Sequence, residues 1–513
     1  MSTQPLFWTT LATVCQEHIA LVPGLPFLAA LLLALRLLFS RRRGDAAEPL
    51  SAALARGAAL AALLWLLALD LAVLLGAPPP GRVLVATWFA LGDAVLSWSF
   101  LLDPRGLAAA TTVALIGWLT LLFSTPYLHR EAGFHRFFLA MSLFLCGMLL
   151  IVLGAGAVPV FIGWECCGLA SWLLIGYNRE RLQATAHALF AFLANRIGDV
   201  GFLLSLGLAY WWMGGADWQI MAQNGQLDPV TARLLLFGFV IAALAKSAQL
   251  PFSPWIARAL EGPTPSSAIF YGALMIHAGV FLLARLEPVL VQVPDVMLML
   301  VAAGGLTTLY ATLCGLVQSD VKSALLYGSL GQVGLMVLAI GLGGFDLAVG
   351  YACLHALFRA WQFLRAPSYL QLLRQPAPPV AAWLGRQQWL YTGALQRFWL
   401  EHLADGLLLR PTVSLGRDMR ALDENVFEPM LAAAQPLQPG ETLVQGHGLA
   451  GRFLVGLAGR LGALEERLIL GDGGGFLGRA LQRVSGYLLT IDALIEQPRY
   501  LMLMVMATFV VIL

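Results

Sequence analysis

Charge is what this sequence has least of. Only 12% of its 513 residues are Asp, Glu, Lys or Arg, about half the share of a soluble globular chain. That shortage excludes an ordinary cytosolic domain, and an apolar content of 59% excludes a disordered polymer. Lysine is scarcer still. Of 31 basic residues only Lys246 and Lys322 are lysines, and the rest are arginine. Net charge is +2 and no basic block exceeds Arg41-Arg42-Arg43, so a nucleic-acid partner has no electrostatic footprint here. Cysteine supplies no framework either. Cys15, Cys146, Cys166, Cys167, Cys314 and Cys353 lack metal-type pairing, and adjacent Cys166 and Cys167 cannot form an ordinary disulfide. They read as small buried residues. No positive charge precedes the first apolar run and no Ala-x-Ala-type site follows it before Arg41, so the start does not read as a cleavable signal.

What is abundant is apolar helix. A spanning helix takes about 20 apolar residues. Runs near 18–38, 52–76, 106–124, 137–155, 158–176, 186–211, 232–250, 266–284, 296–317, 323–343 and 347–366 meet that test. With a shorter run at 500–513, the fold class expected is all-α: a polytopic membrane bundle of about 12 spans. Residues 82–102 differ. They alternate around Gly92-Asp93 and predict a hairpin outside the membrane. Arginine marks the sidedness of the loops. Arg41–Arg43, Arg130, Arg136, Arg179, Arg181 and Arg258 fall on one side; the lysine- and arginine-free loop 212–230 falls on the other. Arg82, Arg105, Arg233 and Arg285 are exceptions. Both termini are expected to face away from the cytoplasm.

Residues 368–497 break the pattern, holding 11 arginines and 12 acidic residues with apolar residues at helical spacing in 391–409 and 452–470. They predict an amphipathic cytoplasmic region lying on the membrane, on a partner, or on both. The domain plan is therefore 1–104, two spans and the hairpin; 105–366, the core; 367–497, the amphipathic region; and 498–513, a last span.

Charges within apolar runs are costly and mark function or structure. Glu165 and Lys246 are of opposite sign on different helices and most simply pair. Their alternative role is a static strut. Pro251 cannot donate to the carbonyl of Ser247, and Pro254 disrupts the next turn, so the helix is expected to break just beyond Lys246. Its negative end would then lie near the lysine. Arg196 and Asp199, three apart, can pair with each other. His277, Lys322, Ser329, Gln332, His355 and Arg359 continue the file, the last pair of titratable residues sharing a helix face. Asp70 carries little weight.

These residues stand in ordered motifs. Phe161-Ile-Gly-Trp-Glu165, Asn195-Arg-Ile-Gly-Asp199, Lys246-Ser-Ala-Gln-Leu-Pro251, Glu261-Gly-Pro-Thr-Pro-Ser266, Gln318-Ser-Asp-Val-Lys322 and His355-Ala-Leu-Phe-Arg359 resemble the proton-antiporter-type subunits of respiratory complex I and of multisubunit sodium/proton antiporters. The resemblance covers about 105–366. It implies ion translocation by Glu165, Lys246, His277, Lys322 and His355, with Arg196, Asp199, Pro251, Tyr271, Ser329, Gln332 and Arg359 in support. It implies broken helices and no resident cofactor. Two positions depart from the family pattern. Arg359 stands where the family has lysine, and Tyr271 where a histidine often follows Gly-Pro-Thr-Pro. Arginine holds its proton, so Arg359 can tune a path but not relay along it as lysine would.

After residue 366 the chain leaves the family pattern for the charged region. This resembles the membrane component of the two-part DAB inorganic-carbon pumps of bacteria. The likeness implies a transporter subunit rather than an enzyme, sited in the bacterial inner membrane. It also implies a large cytoplasmic zinc-binding partner similar to carbonic anhydrases, driven by protons or sodium and docked on 367–497. The alternatives are a pumping subunit of a respiratory NADH:quinone oxidoreductase or multisubunit antiporter, and a non-conducting membrane anchor.

Overall fold

The computed structural model describes residues 4–39, 45–78, 81–91, 94–223, 227–366 and 381–415. The second amphipathic run, 452–470, and the C-terminal run, 500–513, lie outside the described residues, as does the turn Gly92-Asp93. Two compact units divide the chain, Met1–Ala404 and Asp405–Leu513. The described part of the second, 405–415, is helical and opens with a π segment at Asp405–Leu409.

In the first unit the long apolar runs are helices. They are α1 (Gln4–Glu17), α2 (Leu21–Phe39), α3 (Glu48–Leu74), α4 (Pro104–Tyr127), α5 (Phe134–Leu153), α6 (Ala157–Ile175) and α7 (Leu182–Met213). There follow α8 (Trp218–Gln223), α9 (Pro229–Lys246), α10 (Pro254–Arg258), α11 (Thr264–Ser267), α12 (Ala278–Arg285), α13 (Glu287–Leu290), α14 (Pro294–Leu316), α15 (Val321–Gly341) and α16 (Phe345–Leu364). Among the described residues ten helices are long and apolar enough to span a membrane. α16 is of spanning length but is not one of the ten; Asp346, His355, Arg359 and Gln362 dilute its apolar character. α1, a helix of 14 residues outside the expected spans, packs on α3, where the Trp65 indole donates to the Cys15 carbonyl at 3.1 Å.

Burial sets the layering. The apolar stretch of α5 is 94% buried and that of Thr264–Arg285 is wholly buried, so these two form the centre and the other spans surround them. Without a hydrophobic drive between helices in lipid, close approach decides packing, and small residues permit it. Gly147 faces Gly163 between α5 and α6, Gly201 faces Gly238 between α7 and α9, and Gly304 faces Gly334 between α14 and α15. A Cβ at any of them would run into the opposing backbone.

The expected hairpin is present as β1 (Arg82–Leu91) paired antiparallel with β2 (Ala94–Leu101). Its base is tied to the α5–α6 connection, where Ala155 N–H donates to Ser99 O at 3.0 Å; the Trp218 indole of α8 donates to Gly154 O in the same connection at 2.7 Å. The four arginines that break the loop charge pattern are each paired. Arg82 holds Asp217, Arg105 holds Glu287 and Asp346 at 2.5 Å each, Arg233 holds Asp295 at 2.6 Å, and Arg285 holds Asp103 at 2.7 Å. They knit the helix ends of that side together.

Candidate functional site

α9 ends at Lys246, as the prolines beyond it require. A break inside a bundle is tolerated only if the freed carbonyls find donors. They do. The Trp255 indole donates to Ala245 O at 2.9 Å, and the Gln249 side-chain amide to Ser247 O at 3.0 Å. The Leu250 N–H turns across to Thr307 Oγ1 on α14 at 3.0 Å. Chain direction then resumes in α10. Lys246 thus sits at the negative end of a half-helix, 1% exposed.

Around it stand α6 and α7. Glu165 is buried on α6, but its carboxylate is held by the Arg196 guanidinium rather than by Lys246. Arg196 also pairs with Asp199 at 2.7 Å, one turn along α7. The other Asp199 oxygen accepts from the Trp164 indole at 2.8 Å. Lys246 Nζ lies 5.0 Å from the Trp164 ring centroid and finds no hydrogen-bond acceptor among the described residues. The direct Glu165–Lys246 contact expected from charge alone is not made. Arginine has a planar fork of donors that can engage two carboxylates at once, and here it does so. Lysine is left to the longer-range field of both carboxylates and the face of Trp164. Such an ammonium is confined by charge without being fixed by a bond.

Two participants escaped the sequence reading. Trp164 links Asp199 to Lys246, although it sat within the motif next to Glu165. Gly168 lies one turn on from Glu165, and a Cβ there would come 2.8 Å from Arg196 Nη2 and 3.5 Å from Lys246 Nζ. Its spacing from Glu165 put it on the same face, which was the signal available.

A second cluster lies on the central element. Thr264–Arg285 is not one regular helix. α11 passes into a π segment at Ala268–Ala273 and a 3-10 turn at Met275–His277 before α12 resumes. π segments recur at functional sites. His277 occupies the junction, and its Nε2 is 2.9 Å from His355 Nδ1 on α16. Arg359, one turn beyond, donates from Nε to His355 Nε2 at 3.2 Å and from Nη1 to the Gln362 side chain at 2.8 Å. Gly328 of α15 leaves space for that guanidinium, since a Cβ there would approach Nη2 to 2.7 Å. Tyr271 is buried in the π segment, with its hydroxyl donating to Ala259 O.

Lys322 stands apart from both clusters. It lies at the start of α15, capped by Asp320, and donates to Thr264 Oγ1 at 2.6 Å, which also meets the Tyr127 hydroxyl at 3.0 Å. Ser329 is buried farther along α15, with Gln332 on the same helix. Pro251 is in the turn after the break. Asp70 is peripheral, accepting from Thr111 at 2.6 Å between α3 and α4.

The described start of the amphipathic region packs on the core. Leu384 and Ala394 bury against Val317 at the end of α14, and the Phe398 ring lies 6.0 Å from that of Tyr310. Glu401 pairs with Arg397 and lies 3.9 Å from Arg258 of α10, whose guanidinium covers the Phe190 ring at 3.9 Å.

Two family models match this chain. One, described as NADH:quinone oxidoreductase/Mrp antiporter, TM, spans residues 156–375 and so contains both clusters and Lys322. The other, NADH-Ubiquinone oxidoreductase (complex I), chain 5 N-terminus, spans 88–138. The NAD(P)H-quinone oxidoreductase subunit 5, organellar chromatophore 1, of Paulinella chromatophora is 33% identical over 367 residues, covering 70% of this chain and 55% of that one. The NADH-ubiquinone oxidoreductase chain 5 of Schizophyllum commune is 36% identical over 291 residues, covering 56% and 42%. The chain thus spans about half the length of these curated relatives. A chain in the structure of the Mrp complex from Dietzia sp. DQ12-45-1b shares the fold, with a TM-score of 0.57 and 21% identity over 98% of this chain and 62% of that one.

Proposed function

Since this chain belongs to the proton-antiporter-type family of membrane subunits and is a multi-pass membrane protein, we propose that it moves protons or sodium along its buried charges. The observation that carries this is Lys246: buried at the end of a broken helix, near two carboxylates, and without a hydrogen-bond acceptor among the described residues. A strut would be expected to hold its charge in a direct pair, and here Arg196 takes that part. Lysine gives up a proton when buried far more readily than arginine does. Glu165, Arg196 and Asp199 then set the charge that Lys246 feels. His277 and His355 continue the file, and Lys322 with Thr264 and Tyr127 forms a separate polar contact at the helix ends.

The finer proposal is that ion flow drives a large cytoplasmic zinc subunit, similar to carbonic anhydrases, which hydrates CO2 in an inorganic-carbon uptake complex. Its support is the stretch 368–497, where 11 arginines and 12 acidic residues replace the apolar pattern of the core. The described start of that stretch is joined to α10, just beyond the break, through Arg258 and Glu401. The setting proposed is a bacterial inner membrane, with both termini facing away from the cytoplasm. The names of the relatives favour a second reading, a pumping subunit of a respiratory or antiporter complex.

Purification of the full chain from native membranes separates the two. One large zinc protein as the stable partner supports carbon uptake; a set of small hydrophobic subunits overturns it and leaves ion translocation standing. Glu165→Gln addresses translocation itself. A variant that accumulates normally and drives the complex at the wild-type rate would leave only a membrane anchor.

A further inference from the structure

We propose that Arg359 is a positioning residue that latches the His277–His355 pair into one tautomer and so gates proton passage through it. This deepens the translocation reading above and rests on it. The inference follows from donor and acceptor roles. A guanidinium only donates, so the Arg359 Nε–H at 3.2 Å makes His355 Nε2 an acceptor without a proton. A neutral His355 therefore carries its hydrogen on Nδ1, which faces His277 Nε2 at 2.9 Å. His277 Nε2 in turn accepts, and its own hydrogen rests on Nδ1. One arginine thus fixes both rings, because which nitrogen is protonated follows from the bond the other makes.

The consequence is a barrier to proton entry. While Arg359 is seated, no proton can be added at His355 Nε2, and Arg359 cannot supply its own. When its N–H withdraws, a proton from the path can bind His355 Nε2. The His355 Nδ1–H bond then breaks as a bond forms to His277 Nε2, leaving His277 protonated on both nitrogens and His355 neutral with hydrogen on Nε2. One proton has entered, and the positive charge rests on His277. Arg359 can reseat only after that transfer runs in reverse and His355 Nε2 gives up its hydrogen, since a guanidinium needs a bare nitrogen there. A lysine at this position would itself be a station for the proton. Arginine makes the step a latch.

The seat of the latch is built as well. Gly328 leaves the guanidinium its space, and Gln362 holds Nη1 at 2.8 Å.

The test uses the full chain in lipid with its histidine rings labelled with nitrogen-15, His277 and His355 being assigned through His277→Gln and His355→Gln. Both rings are expected to be neutral with hydrogen on Nδ1 alone. In Arg359→Met the His355 signal is expected to shift to Nε2–H or to a mixture. Gly328→Ala, which displaces the guanidinium without removing a donor, is expected to produce part of that shift. Passive proton leak into vesicles is expected to rise about tenfold in Arg359→Met, as loss of one hydrogen bond to a charged group from the barrier would give. A wild-type spectrum with hydrogen on His355 Nε2, or one unchanged in Arg359→Met, overturns the latch. The spectrum needs no ion flow, so absence of flux with the expected tautomers would overturn translocation and leave the latch standing.

Discussion

The two buried clusters are built from similar parts and solve different problems. Each seats an arginine against a helical glycine, Arg196 at Gly168 and Arg359 at Gly328. Around Arg196 stand two carboxylates, and a lysine remains nearby with no hydrogen-bond acceptor among the described residues. Around Arg359 the acceptors are neutral, a histidine nitrogen and a glutamine oxygen. In the first cluster the arginine absorbs negative charge and so frees the lysine. In the second it brings positive charge with no direct counter-ion among the described residues and so keeps a further proton off the histidines. The same residue type releases one titratable group and restrains another, and what surrounds it decides which.

Removing each arginine breaks this comparison most directly. Arg196→Met leaves two buried carboxylates without their partner and is expected to cost about 3–5 kcal/mol. Arg359→Met leaves only neutral acceptors and is expected to cost about 1–3 kcal/mol. Thermal unfolding of the two solubilised variants checks the order, and equal losses would erase the distinction. Next in size is Gly168→Ala, whose Cβ displaces Arg196 and crowds Lys246; ion flux into vesicles is expected to fall about tenfold with the fold retained. Trp255→Phe strips the donor from the freed Ala245 carbonyl and is expected to cost about 1–2 kcal/mol in the same melts. The smallest effect belongs outside both clusters. Glu401→Gln removes a partly exposed partner of Arg258 and Arg397 and is expected to change stability by under about 1 kcal/mol.

The helices, the hairpin and the break after Lys246 were legible because they follow from composition, alternation and proline chemistry, all of which are local. The pairing partners were not. Opposite charges on different helices pointed to Glu165 with Lys246, but the choice among partners rests on reach and geometry. Arg196 reaches Glu165 with Nη1 and Asp199, one turn away, with Nη2, so it takes both carboxylates. The irregular run from Ala268 to His277 was equally hidden, since its residues are apolar throughout apart from Tyr271 and His277 and read as continuous helix. Arg359 was legible as a departure from a lysine pattern. That it donates to His355 emerges only once α16 and the central element are brought together.

The central claim is that Lys246 works by exchanging a proton, not by holding a charge in place. Lys246→Arg keeps the positive charge at the end of α9 and removes the ability to give up the proton. Proton flux into vesicles, measured beside a thermal melt of the same preparation, tests it. The account predicts flux reduced to the level of Lys246→Ala with unfolding close to wild type. Wild-type flux in Lys246→Arg would contradict it.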